Sequence, residues 1–251
     1  MGSVTVSLIV FACLFGGALF GTLFRRALPQ HHLTADSQDV VKLGMGLVAT
    51  MSALVLGLLV SSAKSSYDSQ SSELTEMSAR VVFLDRMLAH YGPETKEARD
   101  ALRGAVAGSL DQIWPQERGG TSEAGAPSTH AEALLDKIQM LAPKGDGQRW
   151  LQSQVLSMAI GLGQTRWLLY EQGASSVSKP LIAIVVFWLT AIFISFGLFA
   201  PRNATVTTAL FVSGLSVSGA IFLILEMYAP FSGLIKISSA PLRFALAHLG
   251  E

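Results

Sequence analysis

Charge is scarce in this chain and missing altogether from four long stretches. Only 14% of its 251 residues are Asp, Glu, Lys or Arg, against about a quarter in an ordinary soluble domain. The 18 basic and 18 acidic residues cancel, so no basic field marks a nucleic-acid partner. A single cysteine, Cys13, excludes a disulfide framework within one chain. Set inside an apolar run, it is expected to be small, buried and inert. Absent too are a Walker loop, an H-E-x-x-H pair and a G-x-S-x-G elbow. No stretch alternates polar with apolar residues long enough to read as a strand. The sequence therefore does not point to an enzyme, and it implies no cofactor and no metal.

Half the residues are hydrophobic and the mean hydropathy is +0.45. The apolar character is concentrated in four uncharged runs, Val4 to Phe24, Leu43 to Val60, Leu181 to Ala200 and Val206 to Leu225. Each is long enough to cross a bilayer, which takes about 20 helical residues. The first lacks a basic leader and a small-residue cleavage pattern, and Phe24 runs straight into Arg25-Arg26, so it is read as a retained span. No span carries a charge near its centre, which argues against a proton-driven transporter. The fold expected is all-α: a four-span transmembrane helical protein with an extramembrane helical bundle between spans two and three. Residues 1–63 and 179–229 form the two transmembrane hairpins. Residues 64–178 form the bundle, and 230–251 an amphipathic tail.

Small residues mark where helices can approach closely, because lipid offers no hydrophobic drive for association. Gly17 and Gly21 in span one, and Ala49, Ala53 and Gly57 in span two, recur four residues apart and are expected helix-packing positions. Between these spans, Arg25, Arg26, His32, Asp36, Asp39 and Lys42 form an interfacial loop. Asp36 can cap the following helix, Asp39 sits near its positive end, and Lys42 can snorkel. These helix-start roles account for the acids better than a metal site shared with His31 and His32 does.

Thr50, Ser52 and Glu226 are candidate pore-lining residues. The two hydroxyls put polar groups within a span. Glu226 lies about 33 Å along the helix from Ala204, which reads as an interfacial carboxylate near Tyr228, with a role at an ion entrance as its functional alternative.

The helical period does not stop at the end of span two. Leu74, Met77, Val81, Leu84 and Leu88 form a heptad seam, and the helix is expected to run to Tyr91 before Gly92-Pro93. Further helices are expected over residues 94–113, 130–141 and from 148 onward. Leu151, Val155, Met158, Leu162, Thr165 and Leu169 form a second seam able to pair with the first. Residues 115–128, rich in Gly, Ser, Pro and Glu, read as a loop. In the tail, Ser239 is the expected cap of a last helix with Pro241 in its first turn.

Several blocks carry a family pattern: Phe24 to Pro29, His32-Leu33, Asp36 to Lys42, Gly46 to Val60, Ser62 to Asp68 and Pro230 to Leu242. In these the chain resembles the bestrophin-like family of bacterial membrane proteins. The resemblance implies a four-span, oligomeric anion channel whose termini and middle bundle lie in the cytoplasm. The Arg25-Arg26 pair, through the positive-inside rule, points instead to cytoplasmic short loops. Neither an acidic calcium clasp nor an aromatic neck maps onto these residues. The expected function is an oligomeric channel for small ions, with anions implied by the resemblance, in the bacterial inner membrane. Its partners are the lipid bilayer, further copies of itself and small inorganic ions. The alternative is a membrane-anchored scaffold or sensor whose bundle binds a partner.

Overall fold

The structure, a computed structural model, describes residues 2–25, 35–114, 129–174, 179–201 and 203–250. Among them there is no strand, and the elements are eight α-helices: α1 (Ser3–Phe24), α2 (Ala35–Tyr91), α3 (Lys96–Ile113), α4 (Thr129–Gln139), α5 (Asp146–Ala174), α6 (Lys179–Phe199), α7 (Ala204–Met227) and α8 (Ala240–Ala247). Four are long and apolar enough to cross a membrane: α1, α2, α6 and α7. A helix suits such sequences because it satisfies every backbone N–H and C=O within the segment, where lipid offers no partner.

The chain divides into two compact units, Met1–Tyr67 with Ser176–Ala229, and Asp68–Ser175 with Pro230–Glu251. Helix α2, 57 residues without a break, contributes to both.

In the first unit, α1 packs on α6 and α7. Val10, Leu14, Ala18, Phe193 and Ile221 form one buried cluster, and Leu59, Ala63, Val185 and Ile224 a second. Contacts set the directions. Gly17 meets Thr190 and Gly21 meets Leu198, so α1 and α6 run parallel. Ser7 meets Ser218 while Phe15 meets Phe211, so α1 and α7 run antiparallel. Asn203 starts α7, its Oδ1 accepting the Val206 N–H at 2.8 Å, the side-chain cap that an orphan first-turn donor needs.

In the second unit, the seam Leu74, Met77, Val81, Leu84 and Leu88 is buried throughout. Helix α2 ends at Gly92, whose φ of 139° is a conformation L-residues rarely adopt. A 3-10 turn, Pro93–Thr95, then precedes α3, so residues 94 and 95 lie outside the helix expected there. The buried Thr95 hydroxyl lies 2.7 Å from the Leu88 carbonyl and 2.8 Å from that of Gly92, facing the carbonyls a helix end leaves open. Two glutamines of α5 do similar work. Gln148 donates to the Tyr91 carbonyl at 2.9 Å, and Gln152 donates to the carbonyls of Ile138 and Leu141, both at 2.9 Å. On α5, Val155 and Leu169 of the expected seam are buried, joined by Ala159.

The tail belongs to this unit. The Trp114 indole N–H donates to the Ile237 carbonyl at 3.0 Å, and its ring meets Phe231 edge-on. Ser239 does not cap α8. It adopts helical angles and makes no capping bond, and its Oγ accepts from the Arg243 guanidinium instead. The Ala240 N–H donates to Ser238 Oγ, one residue earlier.

Two further expectations change. Cys13 is exposed on α1 rather than buried, lying to one side of the buried line of Val10, Leu14, Gly17 and Gly21. Asp36 lies inside the first turn of α2, which begins at Ala35, so it is not the residue ahead of the helix. Its side chain lies outside the described atoms, as do Arg26 and His32 entirely. The expected loop over 115–128 likewise lies outside the described residues.

Candidate functional site

The geometry of interest is built on the first unit, where three helices lock together and the apolar half of α2 stays largely uncovered. The lock between α1 and α6 is steric. A Cβ at Gly21 would overlap the Ile194 carbonyl, and one at Gly197 would overlap the Ala18 carbonyl. At Gly17 a Cβ would come within 3.2 Å of the Ile194 and Thr190 side chains. Glycine on both helices brings the backbones together and increases dispersion contact where the solvent is itself apolar. At the end of this crossing, Arg25 donates to the Ala200 carbonyl at 3.0 Å.

The seam between α1 and α7 is polar at one end and aromatic at the other. Ser218 Oγ donates to the Ser7 carbonyl at 2.6 Å, and Ser7 Oγ donates to the Ser3 carbonyl at 2.9 Å. The Ser3 hydroxyl donates to the Glu226 carboxylate. Glu226 is only 2% exposed. It is therefore enclosed within the first unit, at the end of α7 beside Tyr228. Further along, Phe11 and Phe15 meet the edge of Phe211 with centroids 5.3 and 5.5 Å apart.

Helix α2 presents three faces. Ser52 and Leu59 are buried, with Val55 and Leu56 packed beside them. A bulky stripe, Leu43, Leu47, Met51, Leu54 and Leu58, is 47–76% exposed. Beside it runs a stripe of small side chains, Gly46, Thr50, Ala53 and Gly57, all exposed, and no atom lies within 4 Å of where a Cβ on Gly46 or Gly57 would stand. Ala49 is half-buried at its margin. The three expected packing residues of α2 therefore have little packed on them within the chain.

The structure does not bring the two hydroxyls of α2 together. Thr50 and Ser52 are about 160° apart around the helix. Thr50 is exposed and donates to the Gly46 carbonyl at 2.8 Å, whereas Ser52 is 1% exposed and donates to the Val48 carbonyl. Asp39 and Lys42 form an exposed ion pair at 3.1 Å near the start of α2. Among the described residues, no three His, Cys, Asp or Glu side chains converge as metal ligands would.

Among the described residues of the second unit, Asp85 and Arg99 form a charge pair with the carboxylate buried. Arg99 grips Asp85 at two points, 2.7 and 2.8 Å, and the Gly250 N–H adds a third bond at 3.2 Å. Burial pushes the Asp85 carboxyl up. The hydrogen bonds from Arg99 and Gly250 and the charges of Arg99 and Arg86 outweigh it, leaving Asp85 below the usual range. The bond to Asp85 raises Arg99 in turn. Arg103 reaches the Leu249 carbonyl at 3.4 Å, so α2 and α3 together hold the end of the tail.

Sequence reasoning passed over Gly197, the Asp85–Arg99 pair and the Ser3–Glu226 contact. A glycine inside an apolar run was the one signal available for the first. The other two join residues far apart in the chain, and nothing local marks them.

The Bestrophin-like domain model matches residues 12–242. The chain belongs to the bestrophin-like family. Among solved structures, a bacterial bestrophin homologue from Klebsiella pneumoniae, crystallised as a point mutant, superposes with a TM-score of 0.72 at 13% identity, over 96% of this chain and 97% of that one. Two structures described as mutants of a membrane protein give TM-scores of 0.69 and 0.66, each at 14% identity, over 97% and 96% of this chain. At such identities the likeness is one of fold. Comparison with the curated proteins found no match. The bestrophin-like assignment covers the whole of α2, so its uncovered stripes belong to the family domain itself.

Proposed function

We propose that this bestrophin-like chain is one subunit of a homo-oligomeric channel in the bacterial inner membrane, passing small inorganic ions, with anions favoured. The observation that carries this reading is α2: an apolar helix with two uncovered stripes side by side, one bulky and one small with a hydroxyl at Thr50. The bulky stripe suits lipid or a neighbouring subunit. The stripe of Gly46, Thr50, Ala53 and Gly57 suits the wall of a shared path, since small side chains leave room for hydrated ions and no fixed charge hinders their passage. Glu226 is sealed against Ser3, so its part in the path is to fix α7 against α1 beside an entrance, and Ser52 supports α2 from the buried side.

Ion flux into liposomes holding the purified protein tests the reading. Conductance that depends on protein and differs between anions and cations is expected. Protein-containing liposomes no leakier than empty ones, under either membrane polarity and across several ions, would set the channel aside. The helices of the second unit as a partner-binding scaffold would then be the better reading.

A further inference from the structure

Within the second unit, α2, α3, α4 and α5 line a half-open pocket of about 190 Å³. Its walls include Val81, Leu102, Val106, Leu134 and Ala159. Two polar side chains reach it, Ser109 and Arg166. The Ser109 hydroxyl is already held by the Ala105 carbonyl at 2.8 Å. Arg166 is different. Arg80, Arg99 and Arg149 each hold a carboxylate, but none among the described residues pairs with Arg166. Burial is what acts on its guanidinium, and it draws the pKa down. A partly desolvated cation at an apolar cavity is costly unless something compensates it.

We propose that this cavity binds a small amphiphilic monocarboxylate, its apolar tail among the side chains of α2 to α5 and its carboxylate on the Arg166 guanidinium. Size and chemistry agree. An apolar cavity of about 150 Å³ admits benzene, so a pocket of about 190 Å³ has room for a chain of about six carbons. The guanidinium fork matches a carboxylate at two points and tolerates partial burial better than an ammonium does. Such a ligand sets a negative charge beside the guanidinium and covers apolar wall. The site belongs to the second unit alone and does not depend on the channel reading.

Calorimetric titration of the full chain in lipid nanodiscs, with empty nanodiscs subtracted, tests this with hexanoate, hexanol and hexylammonium. Hexanoate is expected to bind saturably, one per chain, and more tightly than hexanol, with hexylammonium weakest. Arg166→Gln should weaken hexanoate about tenfold, the scale of a lost charge-assisted hydrogen bond, and leave hexanol unchanged. Val106→Trp should fill the cavity and abolish both. Hexanoate affinity untouched by Arg166→Gln, or surviving Val106→Trp, would overturn the proposal, as would the absence of saturable heat from the unmodified chain. Should either variant fail to fold, the ligand series on the unmodified chain decides: equal affinity for hexanoate and hexanol overturns the site.

Discussion

Gly197 lies so close to Ala18 that a single methyl group at position 197 would run into the Ala18 carbonyl. The obstacle is backbone, which cannot swing aside as a side-chain tip can. The crossing of α1 and α6 therefore depends on a missing side chain on each helix, Gly21 on one and Gly197 on the other.

Gly197→Ala and Gly21→Ala should each lower stability by about 1–3 kcal/mol, the cost of overpacking a tight contact. Gly16→Ala, on the open side of α1, should leave it unchanged. Thermal unfolding in one detergent, comparing the three variants with the unmodified chain, checks this. Equal midpoints would remove the steric argument.

Asp85 and Arg99 form the second point of vulnerability. Removing Arg99 leaves a buried carboxylate without its main partner, so Arg99→Leu should cost about 3–5 kcal/mol. The same pair sets an acid limit. Because the folded carboxyl titrates below the usual aspartate range, its contribution is complete above about pH 4 and fades as pH falls through the folded value. Denaturant midpoints measured from pH 6 to pH 3 should fall at the acid end, and in Asp85→Asn the part of that fall due to this residue should vanish. An acid limb identical in both proteins would contradict the assignment.

How much of this was readable from the sequence depended on whether the signal was local. The runs of α1, α6 and α7 and the seam from Leu74 to Leu88 are set by burial against lipid or core. Burial imposes a period on consecutive residues, so these elements could be placed without a structure. What the sequence could not order was the choice between near-equivalent groups. Ser238 and Ser239 stand side by side, and nothing local says that Ser238 accepts the Ala240 N–H while Ser239 accepts from Arg243. Thr50 and Ser52 looked alike as hydroxyls in one span, but a helix turns them to opposite sides, and only the placement of α6 and α7 shows that Ser52 is the inner one. Glu226 looked interfacial by length alone, and its burial and its bond from Ser3, more than two hundred residues away, have no local signal. The cavity beside Arg166 is a property of four helices and has no sequence pattern of its own.

The open side of Gly57 allows the fold of one chain to be separated from the path it lines. Gly57→Leu meets nothing within its own chain, so secondary structure and the unfolding of the isolated chain should be unaffected. Because its stripe is assigned to the wall of the path, the added side chain should leave the oligomer intact and lower its conductance. Mass photometry of the detergent-solubilised protein and ion flux into liposomes read the two outcomes. A shift from oligomer toward monomer would make this stripe a subunit contact and take the path away from it.

Opening Glu226 should loosen the α1–α7 seam. Glu226→Ala leaves the Ser3 hydroxyl without its acceptor and empties a buried site, for a loss of about 1–3 kcal/mol, whereas Glu226→Gln keeps shape and acceptor and should cost less. Hydrogen exchange at the first turn of α1 would report the difference, with faster exchange in Glu226→Ala. Equal exchange in both variants would detach Glu226 from α1.

The account stands or falls on whether the small stripe of α2 lines an ion path. The direct measurement is conductance in planar bilayers, in a Cys13→Ala background, with Thr50→Cys and Leu47→Cys each treated with a charged, water-soluble thiol reagent. Modification should change the current for Thr50→Cys and leave it unchanged for Leu47→Cys, whose position lies on the bulky stripe. Equal effects at the two positions, or no current from any of these proteins, would contradict the placement of the path.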